Sequence, residues 1–554
     1  MNIANNDDRP RDSLPAAESL VKMESADARK LFDGLMALSS IEFVNGADTS
    51  KTLQGLGTLI DFASDFKRPD GLQRAVEIGN LLLGKDMPID ERVLVHYFLS
   101  NAWAEIRLQT RSGSQLSEWE QPEITKQIIH LRHALQLASA ATISSLRHCQ
   151  IHTNLGNLMS HCGRIVDAIV SWDAALAIEP GFPMALGNRA MGLTRYARLV
   201  HDPGHQVFHL REAYRCYREV LLPEHGSRIH PNALRVFRNW FEQLLKDVPS
   251  SVFEEHNSKY TFHDEMSPDE LAYRKWCLAQ RLFANDLNDL GQHPFAAADV
   301  LTLPGFVTSL DSGPDAIGFF NQLKQEYVSA RYLYYAGITA KGTHFSDREV
   351  SLINTLDYPA YGLGTEQVRV AFRMAYSLLD KVAFFLNAYL GLGIRDRDVS
   401  FRSLWYDRQD PKKGFRHGVY LSDNLSLQGL FWLSKDLYEK EEGFTEALEP
   451  DARQVSDIRN HLEHKYCKLH LEGVPQRPAK GDIIGRGTYD SLAFSVNLHT
   501  FENSTLRLLR MVRTVLIHVT LTVKIEEAKR NRIRDSTQQQ VKTLLDIYDD
   551  DWKR

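Results

Sequence analysis

Between Leu155 and Pro180, small and large residues follow one another in a fixed order: Leu155, Gly156, Met159, Gly163, Ala168, Trp172, Ala175, Pro180. This spacing puts Gly156, Ala168 and Ala175 where two helices cross closely, with Leu155, Met159 and Trp172 filling the space between them. Gly163 marks the turn, and Pro180 ends the second helix because it has no backbone N–H to continue the ladder. A helix pair of this kind cannot bury its own apolar face and needs neighbours built the same way.

The unit resembles the tetratricopeptide (TPR) repeat at nearly every signature position. Its neighbours are degenerate. Asn188-Arg189-Ala190 lies 34 residues after Asn154-Leu155-Gly156, in register with it. The second helix of that unit, around Ala213 and Tyr217, comes late, and an insertion is expected around His201 to Phe208. Leu99 to Trp103 pairs with Ile128 to Ala134 across the polar loop Gln109 to Gln121. Helices around Lys30 to Leu38 and Leu72 to Leu83 complete a stack over residues 29–248. The polar stretch 1–28 has no apolar signal core and reads as a disordered leader.

Apolar residues recur at three- and four-residue spacing through most of the remaining chain, and long alternating β-branched runs are scarce. The fold class expected is all-α: an N-terminal TPR-like helical-repeat array, then a C-terminal helical bundle. Residues 249–312, which contain Trp276, Phe283 and Leu287, read as a short packed connector. The bundle is expected over 313–545. Its helices are read at Asp315 to Ala336, Glu366 to Leu392, Leu425 to Glu439, Asp451 to Leu469 and Ser504 to Arg530. No apolar run reaches the length of a membrane span, since Met511 to Val523 is short and holds Arg513 and His518. The five cysteines are scattered without a CxxC pair, which fits reduced thiols in a cytoplasmic protein. A net charge of −6 rules out a uniformly basic nucleic-acid binder, so any RNA contact must use a local patch.

The segment Asp457-Ile458-Arg459-Asn460-His461-Leu462-Glu463-His464-Lys465 carries the candidate chemistry. On a helix turning about 100° per residue, with Arg459 at zero, Glu463 lies near ~40°, Asn460 near ~100° and His464 near ~140°. Val455, Ile458, Leu462, Tyr466 and Leu469 fall between about −20° and −100° and form the buried stripe. The polar set therefore flanks the core face. An Arg supplies a permanent planar charge for phosphate oxygens and for the extra negative charge of a pentacoordinate transition state. A His can take a proton from a 2′-hydroxyl or give one to a leaving 5′-oxygen. Asn460 can orient the His or the phosphate, and Glu463, one turn on, can pair with Arg459. The spacing by itself has little weight, because Arg147 and His152 repeat it in the first helix of the clear repeat unit.

Context adds to it. Ile458 to Lys465 resembles the R-polar-x3-H helix of the HEPN superfamily. Leu378 to Phe385 resembles the long helix packed beside that element, and Phe431 to Leu437 the helix between them. The likeness covers roughly 313–534 and looks closest to a bacterial subgroup in which TPR-like helices precede a HEPN domain. The resemblance implies an all-α bundle that forms a homodimer and joins two R-x4-H motifs in one composite cleft. It further implies metal-independent cleavage of RNA leaving a 2′,3′-cyclic phosphate, often as a toxin or in antiviral defence against phage. Arg459 and His464 would then be catalytic and Asn460 the assisting polar residue, with no cofactor and no metal required.

Other features have plainer readings. His461, His464, Cys467 and His470 recur every three residues, but their directions drift by about 60° per step on one helix, so a shared metal ion is disfavoured. Lys524, Lys529, Arg530, Arg532 and Arg534 complement a helix C-terminus and offer a candidate RNA-phosphate patch, which Arg507, Arg510 and Arg513 would extend. The basic loop Arg408 to His417 is a second candidate. Asn154 and Asn188 are ordinary for the repeat position. The array as a whole is expected to bind a protein or peptide partner. The competing function is a non-enzymatic adaptor whose bundle serves dimerisation or nucleotide binding.

Overall fold

A computed structural model describes residues 25–38, 48–254, 261–262, 265–305, 307–308, 313–420, 423–438, 452–478, 489–533, 541–542 and 547–553. Most of the stretch read as a leader lies outside them. The chain divides into two compact units, one of residues 1–197, 209–255 and 448–450, the other of 198–208, 256–447 and 451–554.

The first unit is a succession of helices on short connections: α1 (Ser25–Leu38), α2 (Thr49–Asp65), α3 (Pro69–Leu83), α4 (Ile89–Thr110), α5 (Pro122–Ala138), α6 (Ser145–His161), α7 (Ile165–Ile178), α8 (Pro183–Leu199), α9 (Pro203–Val220) and α10 (Pro231–Asp247). Proline opens several of them, where its fixed φ suits the first turn and its missing N–H leaves no orphan donor. α6 and α7 are joined by three residues, with Gly163 at φ +77° in the turn. That left-handed conformation suits glycine.

The close approach read from the sequence sits on Trp172. A Cβ on Gly156 would come within 2.6 Å of the indole nitrogen, and one on Gly192 of α8 within 2.4 Å of the ring's far edge. The indole N–H donates to the Asn157 Oδ1 at 3.0 Å. The expected insertion at His201 to Phe208 is absent from the fold. Pro203 begins α9 after a three-residue connection, and the Asp202 carboxylate accepts from the His205 amide at 3.0 Å. An N-cap acceptor and a proline in the first turn start the helix within the segment expected to be inserted.

The second unit holds α11 (Pro268–Ala279), α12 (Asp315–Thr339), α13 (Leu363–Leu390), α14 (Leu425–Tyr438), α15 (Ala452–His464), the strands β1 (Cys467–His470) and β2 (Phe494–Asn497), and the long α16 (Leu498–Ile533). α12 and α13 pack along each other, and α16 packs against both and against α14. Phe372, Leu379, Leu386, Trp432, Leu509 and Leu516 lie in this core.

Two buried arginines fasten the segment after α11. Arg331 holds the Asp299 carboxylate with both terminal nitrogens, at 2.8 and 2.7 Å, and donates to the Leu282 carbonyl at 2.8 Å. Arg513 pairs with Asp289 at 2.6 Å and donates to the Phe283 and Asn285 carbonyls. A buried guanidinium is tolerated only when its donors are matched in this way.

Among the described residues the fold is helical apart from two short pairings, the two-residue antiparallel contact of Val307–Thr308 with Val541–Lys542 and a longer one that replaces part of an expected helix. The helix expected from Asp451 to Leu469 stops at His464, and Cys467 to His470 form β1, parallel to β2 in the register Cys467 with Phe494 through His470 with Asn497. Tyr466 is therefore exposed and not part of the buried stripe, while Leu469 is buried from a strand. The pairing joins segments more than twenty residues apart, which local periodicity cannot register.

Candidate functional site

α15 buries Val455, Ile458 and Leu462 and leaves Asn460 and Glu463 exposed, with Arg459 half-buried between them. The flank position read from the sequence therefore holds for these residues. The Arg459 guanidinium donates to the Asn460 Oδ1 at 3.1 Å and lies 5.4 Å from the centre of the Tyr376 ring on α13. Asn460 thus orients the arginine. His464 is the last residue of α15, and its side chain lies outside the described residues.

Four residues that sequence reasoning passed over, Arg373, Tyr376, Tyr438 and Arg402, complete the surroundings. Arg373, one turn before Tyr376 on α13, donates to the Leu462 carbonyl at 2.6 Å and pairs with Glu463 at 3.6 Å. It satisfies a carbonyl in the last turn of α15, a favourable place for a cation. Glu463 therefore makes its ion pair with Arg373, not with Arg459 as the one-turn spacing suggested. Tyr376 and Tyr438 share a hydrogen bond at 3.0 Å, and the Arg402 guanidinium lies 5.8 Å from the Tyr438 ring centre. Burial pushes both phenols above the ordinary tyrosine value, so both stay neutral at physiological pH. The only forecast available was the position of Arg373 and Tyr376 on one face of a long helix. Tyr438 and Arg402 come from segments that the fold alone brings close.

Arg459 and Arg402 therefore lie over the two rings of one tyrosine pair with Asp380 nearby, while Arg373 sits against Glu463 at the last turn of α15. Asp380 accepts from the Phe401 amide at 3.2 Å. A permanently cationic planar fork can bind the oxygens of a phosphodiester.

His461 has a different place. Its Nδ1 meets the Asp457 carbonyl at 2.7 Å, and its ring stacks on Phe494 of β2 at 4.4 Å. The three-residue series beginning at His461 also does not share a helix. Cys467 and His470 lie on β1, where His470 Nδ1 meets the Asp357 carbonyl at 2.9 Å. Beside it the buried Lys468 ammonium is held by Asp357 at 2.6 Å and Asp490 at 3.0 Å, which raises its pKa.

The basic end of α16 is largely neutralised by its own surroundings. Lys529 pairs with Asp423 and with Glu526, and Arg530 pairs with Glu527 at 2.9 Å over the Tyr389 ring. Lys524 is half-buried, Arg532 is exposed, and Arg534 lies outside the described residues. Arg513 does not extend the patch, since it is buried against Asp289. Lys412 and Lys413 are exposed on the turn Pro411–Lys413, and Arg408 is 82% exposed. In the first unit, the Asn154 amide donates to Asn101 at 3.2 Å.

A cavity of about 50 Å³ within the second unit is lined by His201, His205, Asp286 and Thr302 among others. It has room for a few waters and not for a nucleotide. Among the described residues no helix is long and apolar enough to cross a membrane, and no three His, Cys, Asp or Glu are gathered to hold a metal ion.

Residues 307–526 match the family described as LA2681-like HEPN. No curated protein and no solved structure matches the chain.

Proposed function

Residues 307–526 are a domain of the HEPN superfamily, and from that premise we propose that the protein is a metal-independent endoribonuclease. The observation that carries this reading is Arg459. It flanks the buried stripe of α15 beside the Tyr376–Tyr438 pair, five residues before His464.

In the proposed reaction His464 removes the proton of an RNA 2′-hydroxyl, and the 2′-oxygen attacks the adjacent phosphorus. The P–O5′ bond breaks, the 5′-oxygen takes a proton from a protonated imidazole of the site, and a 2′,3′-cyclic phosphate remains. Arg459 stabilises the added negative charge, Asn460 fixes its direction, and Glu463 acts through Arg373. Each chain supplies half of the site, and a homodimer completes it. Lys412, Lys413 and the exposed Arg532 would guide the RNA backbone, with Lys524, Lys529, Arg530 and Arg534 as further candidate contacts. The N-terminal array would bind the protein or peptide that triggers activity, in a toxin or phage-defence role.

The competing reading is a non-enzymatic adaptor that dimerises through the bundle. It draws on the carboxylates that already neutralise Lys529 and Arg530. The deciding experiment incubates the full-length chain and its His464→Ala and Arg459→Ala variants with total RNA in EDTA. The nuclease reading expects cleavage by the parent chain alone, ending in cyclic phosphates. Equal cleavage by all three, or cleavage only after adding metal, defeats it.

A further inference from the structure

Residues 341–361 join α12 to α13, and nearly all are exposed. Such a connection between two packed helices is normally short and polar. This one contains Val350, Leu352, Ile353, Leu356 and Tyr358, all exposed, with Ile353 at 87% and Tyr358 at 72%. Residues 350–355 have no regular secondary structure, while Glu349, Leu356 and Tyr358 are in the left-handed region at φ 62°, 64° and 47°. Apolar residues facing water on strained backbone mark a surface made to be covered.

The segment is not loose at its ends. Asp347 accepts from the Leu363 amide at 2.8 Å. At the other end the Asp357 carboxylate holds Lys468, and the Ala360 amide donates to the Leu469 carbonyl at 2.6 Å. β1 begins three residues after His464, so the far anchor lies directly beyond the candidate helix. The apolar surface continues onto that side through Tyr361, Tyr466 and Leu471.

We propose that residues 348–358 are a docking arm for a second copy of this chain, covering the partner's domain and holding two α15 helices to one cleft. The proposal rests on the half-site reading above. Two observations select this occupant. The eight exposed apolar side chains offer on the order of 1,000 Å² per copy, against the roughly 800 Å² per partner of a standard interface. The arm 348–358 contains one cation, Arg348, and two anions, Glu349 and the Asp357 already paired with Lys468, so it has no net positive charge to draw a phosphate chain. A second copy is also the one partner that the incomplete site requires.

The test compares the full chain with a Leu352→Asp/Ile353→Asp variant by sedimentation velocity, with RNA cleavage measured in parallel. Both side chains face solvent, so helicity by circular dichroism should be unchanged. The arm requires a dimer in the parent chain and at least about a 100-fold weaker dimer in the variant, the loss of two interface anchors. A single Ile353→Cys substitution adds an independent reading, because all five native cysteines are buried. Its thiol should react with maleimide slowly at concentrations that favour the dimer and quickly on dilution. A monomeric parent chain overturns the arm, as does an unchanged dimer in the double variant. If that unchanged dimer has lost RNA affinity, the surface is an RNA platform instead. If the variant loses the dimer and neither protein cleaves RNA, the arm stands and the nuclease reading falls.

Discussion

Arg147 with His152 and Arg459 with His464 share the same spacing on two helices, α6 and α15, yet they are held differently. Arg147 lies over the Tyr97 ring at 4.3 Å, and His152 stacks on His148 with ring centres 5.3 Å apart. Burial, and then His148, push the His152 pKa down to about 4. That imidazole is uncharged near neutral pH and poorly placed to accept a proton there. Arg459 also lies over a tyrosine, but that tyrosine bonds to a second one under Arg402, and the Asn460 amide oxygen accepts from its fork. Spacing is therefore weak evidence. What separates the two sites is what distant segments bring beside the arginine, the Tyr376–Tyr438 pair and Arg402.

The widest expected difference is catalytic. Arg459→Ala should lower RNA cleavage by about 10²–10³-fold, as for loss of a charge-stabilising donor in the transition state. Arg147→Ala should leave cleavage unchanged. Equal losses in a gel assay of end-labelled RNA would erase the contrast. Acid comes next. His152 is depressed in the folded chain, so the unfolded state takes up its proton first as pH falls. The stability it contributes is complete above about pH 6.5 and is lost progressively toward about pH 4. Denaturant midpoints should therefore fall with acid, and His152→Gln should reduce the fall by roughly 1–2 kcal/mol, allowing for partial exposure.

Arg373→Ala and Arg402→Ala should each cost about tenfold in cleavage, close to the free energy of one exposed charge-assisted contact. Unchanged kinetics in both would reduce these two arginines to a packing role. The smallest effect is on Arg147→Ala itself, where loss of the ring contact should lower stability by about 0.5–1 kcal/mol.

The helices were legible because their apolar residues recur at the period of the element that buries them. The stripe of Val455, Ile458 and Leu462 gave the orientation of α15, and Gly156, Gly163 and Trp172 gave a turn and a close crossing. β1 was not legible. Nothing in Lys465-Tyr466 stops a helix, and the strand's partner lies beyond a long intervening segment. The setting of Arg459 was hidden for the same reason. Arg373, Arg402 and Tyr438 belong to separate segments and acquire meaning only once those segments are packed. Charged residues were also read too simply. Arg513 looked like part of a surface patch and proved to be an internal fastener for Asp289.

Trp172 has a consequence of a different kind. Its indole touches glycines on the helices before and after its own, leaving no slack on either edge of the ring. If a partner bends this part of the stack, the ring must slide or the Asn157 hydrogen bond must lengthen, and both alter the emission of a buried indole. Trp172 is in effect a strain gauge already installed in the first unit, and in a chain whose other seven tryptophans are replaced by phenylalanine its fluorescence would report mechanical loading there.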